Sequence, residues 1–160
     1  LPFFTPLKHA SCLNCYLYRV KMKTADHTGD QSILFFDGVC NLCNSSVDLV
    51  MRKDKHGRFK YASLQSEIAA EILPAHGVDP EDLDSIALLH EGKIYQRSSA
   101  ALKIASQMSG AYPLMGIFWI VPRFLRDLVY DFIARNRYKW FGKKDTCRIP
   151  TAEERALFLE

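Results

Sequence analysis

The run Ile33-Leu34-Phe35-Phe36 stops at Asp37-Gly38 and leads at once into Cys40-Asn41-Leu42-Cys43. Successive side chains of a strand point to opposite faces, so four apolar residues in a row require cover on both. A parallel or mixed sheet flanked by helices provides it. The Asp-Gly turn signal ends the strand and puts the following residues at the carboxyl edge of that sheet. Those residues form a Cys-x-x-Cys pair, a common mounting for thiol-disulfide chemistry. Cys43, Val47, Val50 and Met51 fall at i, i+4, i+7 and i+8, one face of a helix, which predicts that Cys43 turns inward toward the sheet. Cys40, at or just before the helix start, is then the outward thiol. The unsatisfied amides of the helix terminus favour an anion there, making Cys40 the expected nucleophile and Cys43 the resolving thiol.

Asp37, Cys40 and Cys43 stand in the order Asp-Gly-x-Cys-x-x-Cys, which resembles the DCC family of thiol-disulfide oxidoreductases, named for that Asp and those two cysteines. The similarity continues through Tyr95-Gln96-Arg97-Ser98-Ser99-Ala100-Ala101-Leu102, through Arg135-Asn136-Arg137-Tyr138 and to Cys147-Arg148-Ile149-Pro150, covering roughly residues 32 to 150. It implies a thioredoxin-like fold with Cys40, Cys43 and Asp37 as catalytic residues. The partner would be a disulfide or dithiol substrate, a protein above all, with no bound organic cofactor. For Asp37 two roles stand side by side: a carboxylate bonding nearby amides in a turn, or a proton acceptor during resolution.

Downstream, Phe59-Lys60-Tyr61-Ala62 alternates like a short strand, and Leu64, Ile68, Ala69, Ile72 and Leu73 mark a helix ended before Pro74. Ile86-Ala87-Leu88-Leu89 and Lys93-Ile94-Tyr95-Gln96 read as strands joined at Glu91-Gly92. Ser98 or Ser99 is the expected cap of a helix burying Ala101, Ile104, Ala105 and Met108. The order strand, helix, strand, helix, strand, strand, helix is the thioredoxin-like arrangement, a mixed α/β sheet flanked by helices. Past it, Pro122 suits the first turn of a further helix in which Leu125, Leu128, Val129, Phe132 and Ile133 form an apolar stripe expected to pack on the body. The expected division is an extension over 1–31, poorly ordered, a core over 32–112 and an added C-terminal helical segment over 113–160. Met22 opens a polar stretch that reads as a natural start, so residues 1–21 are expected to be an upstream or appended segment.

Two departures and two rivals bear on function. Thioredoxin-like enzymes place a cis-proline before the third strand, where this chain has Asp82-Leu83-Asp84-Ser85-Ile86; Pro80 lies upstream, and Ser85 is the residue at the strand entrance. The phosphatases that carry Asp-x-Asp-Gly after an apolar strand are excluded because Phe35 stands where the aspartyl nucleophile is required. Cys12, Cys15, Cys40 and Cys43, two Cys-x-x-Cys pairs separated by 24 residues, permit a four-thiolate zinc site. A zinc-held or redox-inactive binding module on the same scaffold is therefore the alternative function.

The 160 residues, 48% hydrophobic, suffice for one domain with a substantial core. A net charge of +3 is too small to imply a nucleic-acid partner. Between Arg123 and Arg148, however, eight Lys or Arg outnumber three Asp. That region could meet a membrane surface or an acidic partner, although a solvated face whose long side chains cover apolar neighbours is the plainer expectation. Five cysteines do not form the even framework of a small secreted protein, so a reducing, cytoplasmic setting is expected. Cys147 reads as packing or as a third, regulatory thiol. The five histidines show no ligand spacing.

Overall fold

The computed structural model describes residues 31–80, 83, 85–145 and 150–159. The expected extension up to residue 30, with Cys12 and Cys15, and Cys147 lie outside them. The elements are β1 (Ser32–Phe36), α1 (Asn41–Lys53), β2 (Phe59–Ser63), α2 (Glu67–Ala75), β3 (Ala87–His90), β4 (Lys93–Gln96), α3 (Arg97–Gln107), a 3-10 segment (Tyr112–Ile120) and α4 (Arg123–Phe141).

The sheet order is β2-β1-β3-β4, with β1 and β2 parallel and the other pairs antiparallel. This is the thioredoxin-like mixed sheet. β1 is central, and its alternation supplies both cores. Leu34 and Phe36 pack with Val47, Val50, Ala100 and Ile104 on one face, under α1 and α3. Ile33 and Phe35 pack with Ala69, Ile72 and Leu73 on the other, under α2. The four-residue apolar run is thus explained by burial on two sides, each side chain adding about 1.5–3 kcal/mol of transfer free energy.

The β3–β4 hairpin turns at Glu91 and Gly92, both with positive φ (49° and 71°), as a type I′ connection requires. Three local details differ from the sequence expectation. Pro74 lies inside the last turn of α2 rather than after it. There it removes a single backbone bond at a helix end that already lacks continuation. α3 begins at Arg97, so Ser98 and Ser99 sit buried within its first turn and neither caps it; the Ser98 hydroxyl is committed to the Asp127 carboxylate instead. The outer edge of β2 is closed by residues 157–159. Tyr61 N–H donates to Leu157 O (2.9 Å) and Leu159 N–H to Tyr61 O (2.8 Å), with Phe158 meeting Phe36 edge to face and lying at a tilt against Tyr61. Covering an edge strand in this way removes a site of unwanted pairing.

α4 packs on α3 and α1, but through a face the apolar stripe did not indicate. Ala134 and Arg137 are its buried residues. Leu125, Leu128, Val129, Phe132 and Ile133 are exposed. The stripe pattern identified an amphipathic helix and assigned the wrong side to the core.

Leu73, fully buried between α2 and the sheet, tests the second core. Leu73→Ala is expected to lower unfolding free energy by about 2–5 kcal/mol in urea denaturation.

Candidate functional site

β1 delivers Asp37 to the carboxyl edge of the sheet, and a tight turn follows in which Cys40 N–H donates to Asp37 O (3.3 Å). Cys40 is the N-cap of α1. Its extended backbone lets the side chain fold back so that Sγ accepts the Cys43 N–H at 3.3 Å. A sulfur in this position takes over one of the orphan amides at the helix terminus. Both thiols are free.

The outward position that helical spacing assigns to Cys40 is not found. Cys40 is completely buried, while Cys43, 8% exposed, lines a cavity of about 320 Å³. The reason lies at the far end of the chain. After α4 the backbone crosses over the turn: Lys144 N–H donates to Val39 O (2.8 Å), Cys40 and Lys143 form an antiparallel bridge, and Asn41 Nδ2 donates to Phe141 O (2.9 Å). Gly142 permits this strap. Its φ of 79° and ψ of 170° are essentially restricted to glycine, and a Cβ there would come within 3.2 Å of Asn41 Nδ2.

Asp37 is 4% exposed and fully engaged. Oδ1 accepts from Val39 N–H (3.1 Å) and from Gln65 Nε2 (3.4 Å). Oδ2 accepts from Arg137 Nη2 (3.3 Å) and from the Tyr138 hydroxyl. The turn role and a charged role therefore coexist on one carboxylate. Arg137 in turn donates through Nη1 to Ala134 O (2.8 Å) and through Nη2 to the Tyr138 oxygen (2.9 Å), lying across the Tyr138 ring. Asn44 Nδ2 donates to Gly38 O (3.0 Å) and fixes the turn from the helix side.

These contacts set the protonation preferences. Burial raises the Cys43 pKa most, the contact with Cys40 and the Asp37 charge raise it further, and Arg137 opposes them. Burial, followed by the bond to Asp37 and its charge, pushes Tyr138 up to about 12. For Arg137 burial disfavours the charge, but Tyr138 and Asp37 outweigh it and its pKa lies above the ordinary value. All these groups keep their protons at neutral pH.

The cavity beside Cys43 is mainly apolar, walled by Ile86, Met108 and Ile133, with Ser85 and Tyr130 as polar points. Ser85 thus stands in the site at the strand entrance, in the same cavity wall as Ile86 and Tyr130. Arg137, Tyr138, Asn44 and Tyr130 received no role from sequence reasoning. The signal for Arg137 was its spacing: Tyr130, Ala134 and Arg137 at i, i+4 and i+7 share a face that is not the apolar stripe, and a buried Asp37 calls for a cation. Among the described residues no group of three or more His, Cys, Asp or Glu could hold a metal ion.

The DCC1-like thiol-disulfide oxidoreductase family model matches residues 34–143, the stretch from β1 to the strap. The chain belongs to this family. Within it, the DCC chain is 42% identical over 127 residues to the uncharacterized protein YuxK of Bacillus subtilis (strain 168), covering 79% of this chain and 93% of that protein. It is 37% identical over 118 residues to the DCC family protein At1g52590, chloroplastic, of Arabidopsis thaliana, covering 73% of this chain and 69% of that one. No solved structure matches. No helix among the described residues of this DCC protein is long and apolar enough to cross a membrane.

Two measurements test the Asp37 cluster. Arg137→Ala leaves a buried carboxylate without its cation and is expected to lower stability by roughly 3–5 kcal/mol in urea denaturation. The raised Tyr138 pKa means that the folded state holds this proton more tightly than the unfolded state. Its stabilising contribution is complete below the ordinary value of 10 and is lost as pH rises toward about 12. Tyr138→Phe should flatten the alkaline fall of the urea midpoint over that window.

Proposed function

We propose that this chain is a thiol-disulfide oxidoreductase that exchanges the Cys40–Cys43 dithiol with a disulfide, chiefly of a protein. The observation that carries the reading is the donation of the Cys43 amide to Cys40 Sγ at a helix N-terminus, beside a thiol whose own proton is held tightly. The two cysteines are thereby made unequal. Cys40 is the sulfur that can carry negative charge against an aligned N–H; Cys43 stays protonated until it is needed.

The step follows from that inequality. Cys40 thiolate attacks one sulfur of the substrate disulfide, forming a mixed disulfide and releasing the other sulfur as a thiolate. Cys43 then loses its proton, attacks Cys40 Sγ and expels the second substrate thiolate. The dithiol is oxidised to a disulfide and the substrate disulfide is reduced to two thiols, one taking the Cys43 proton and the other, from solvent, the equivalent of the proton Cys40 gave up on ionising. Burial and the Cys40 contact hold the Cys43 proton most strongly, the Asp37 charge adds to them and Arg137 opposes it. The apolar cavity beside Cys43 supports a substrate that presents an apolar side chain next to its disulfide.

Because the strap covers Cys40, a protein disulfide reaches it only when residues 142–144 lift. Lifting would break a few backbone bonds at the chain's surface, within the range of local opening.

Cys40→Ser is expected to abolish reduction of an artificial disulfide substrate. Cys43→Ser is expected to accumulate a mixed disulfide at Cys40, identified by mass spectrometry of the alkylated protein. A stable adduct on Cys43 in Cys40→Ser, with none on Cys40 in Cys43→Ser, would reverse the two roles.

A further inference from the structure

Every large hydrophobic residue that is exposed among the described residues lies between Leu114 and Phe141, in the 3-10 segment and α4. Ile120 is 82% exposed, Phe124 77% and Leu114 75%. From Ile104 to Pro122 the sequence carries no charged residue. Single exposed apolar side chains are ordinary on a protein surface; a contiguous set of this size marks an interaction surface.

Charge surrounds this face in a particular way. Along α4, Phe124, Leu128 and Phe132 continue at helical spacing into Arg135 and Lys139, and Lys143 and Lys144 follow, all exposed. The two acidic residues of the helix are already occupied: Asp131 pairs with Arg97 (3.2 Å), and Asp127 with Arg123 (3.3 Å) and Ser98. At the margin of the apolar face the Arg126 guanidinium lies on the Trp119 ring, 4.8 Å from its centre, and its Nε and Nη1 are buried without a hydrogen-bond partner. Arg126 lines a polar cavity of about 660 Å³ together with Lys93 and Arg123. Buried donors left unmatched are costly, and a phosphate oxygen is the acceptor that a cluster of cations at an apolar rim would take.

We propose that the 3-10 segment and the outward face of α4 dock the protein on an anionic phospholipid surface, the apolar side chains entering the acyl boundary and the Arg126 cavity receiving a headgroup phosphate. The chemistry is that of an interfacial helix, in which buried apolar area and attraction of basic side chains to anionic lipid add. The helix lies on the membrane and does not span it. A second cavity, of about 430 Å³ beneath the face, shares Ala101, Met115, Tyr130 and Ile133 with the cavity at Cys43, so docking would bring the thiol pair close to the lipid surface.

The test is cosedimentation of the full chain with vesicles of phosphatidylcholine and phosphatidylglycerol. Pelleting with the anionic vesicles is expected, weakened at least about tenfold in pure phosphatidylcholine or at high salt. Emission from Trp119 and Trp140, the chain's two tryptophans, should shift to the blue on binding. Ile120→Asp and Phe124→Asp alter exposed positions outside the core, so each should keep the circular dichroism spectrum and lose pelleting. Arg126→Gln should keep residual lipid binding and lose the preference for anionic lipid. Three results would overturn the proposal: no pelleting with any vesicle, pelleting that survives both aspartate variants, or a wild-type dimer that those variants split while the wild type ignores vesicles.

Discussion

The ion pair between Asp37 and Arg137 joins the end of β1 to the last turns of α4 across a hundred residues of sequence. Desolvating a carboxylate and a guanidinium costs several kcal/mol per ion, and their attraction offsets this only if the remaining lone pairs and protons are also satisfied. The carboxylate is met further by Val39, Gln65 and Tyr138, and the guanidinium by Ala134 and Tyr138, while Arg137 Nε is buried without a partner among the described residues. The pair is therefore less a source of stability than a register. It admits one placement of α4, and with α4 placed, the strap after Gly142 falls over Cys40.

That single placement accounts for the asymmetry of the thiols. Cys40 has a helix amide and a lid; Cys43 has burial, a nearby carboxylate and an apolar cavity. The exchange proposed above needs two unequal sulfurs. The fold supplies the difference by position, since the two residues are chemically identical. Asp37 bears on the surroundings of both thiols: its carboxylate shapes the turn before Cys40, and its charge adds to burial and the Cys40 contact in raising the Cys43 pKa.

Fixing α4 through Arg137 has a consequence on its other side. The helix turns Tyr130, Ala134 and Arg137 to the interior, and turns Leu, Val and Phe to solvent. This reverses the ordinary amphipathic logic, in which the apolar stripe seeks the core. The reversal holds because the interior already contains a buried negative charge that an apolar stripe could not match. An apolar face exposed in this way, rimmed by cations, is the physical basis of the lipid-docking proposal.

Much of the core was legible in the sequence, because β1, α1, α2 and the β3–β4 hairpin follow local rules: alternation, i to i+4 spacing and a turn needing two positive φ angles. The cysteine pair and Asp37 were legible for the same reason, all three lying within seven consecutive residues. The capping of α3 was misread because Ser98 had a stronger partner in Asp127, distant in sequence. The face of α4 was misread because hydrophobic periodicity reports that two faces differ and not which one meets the core. By itself, then, the sequence determined the mixed sheet, the family and the presence of a dithiol at a helix start. Which thiol is covered, what neutralises Asp37 and which face of α4 is left to solvent were decided only by tertiary structure, since each depends on groups about a hundred residues apart meeting in a medium where an unmatched charge is not tolerated.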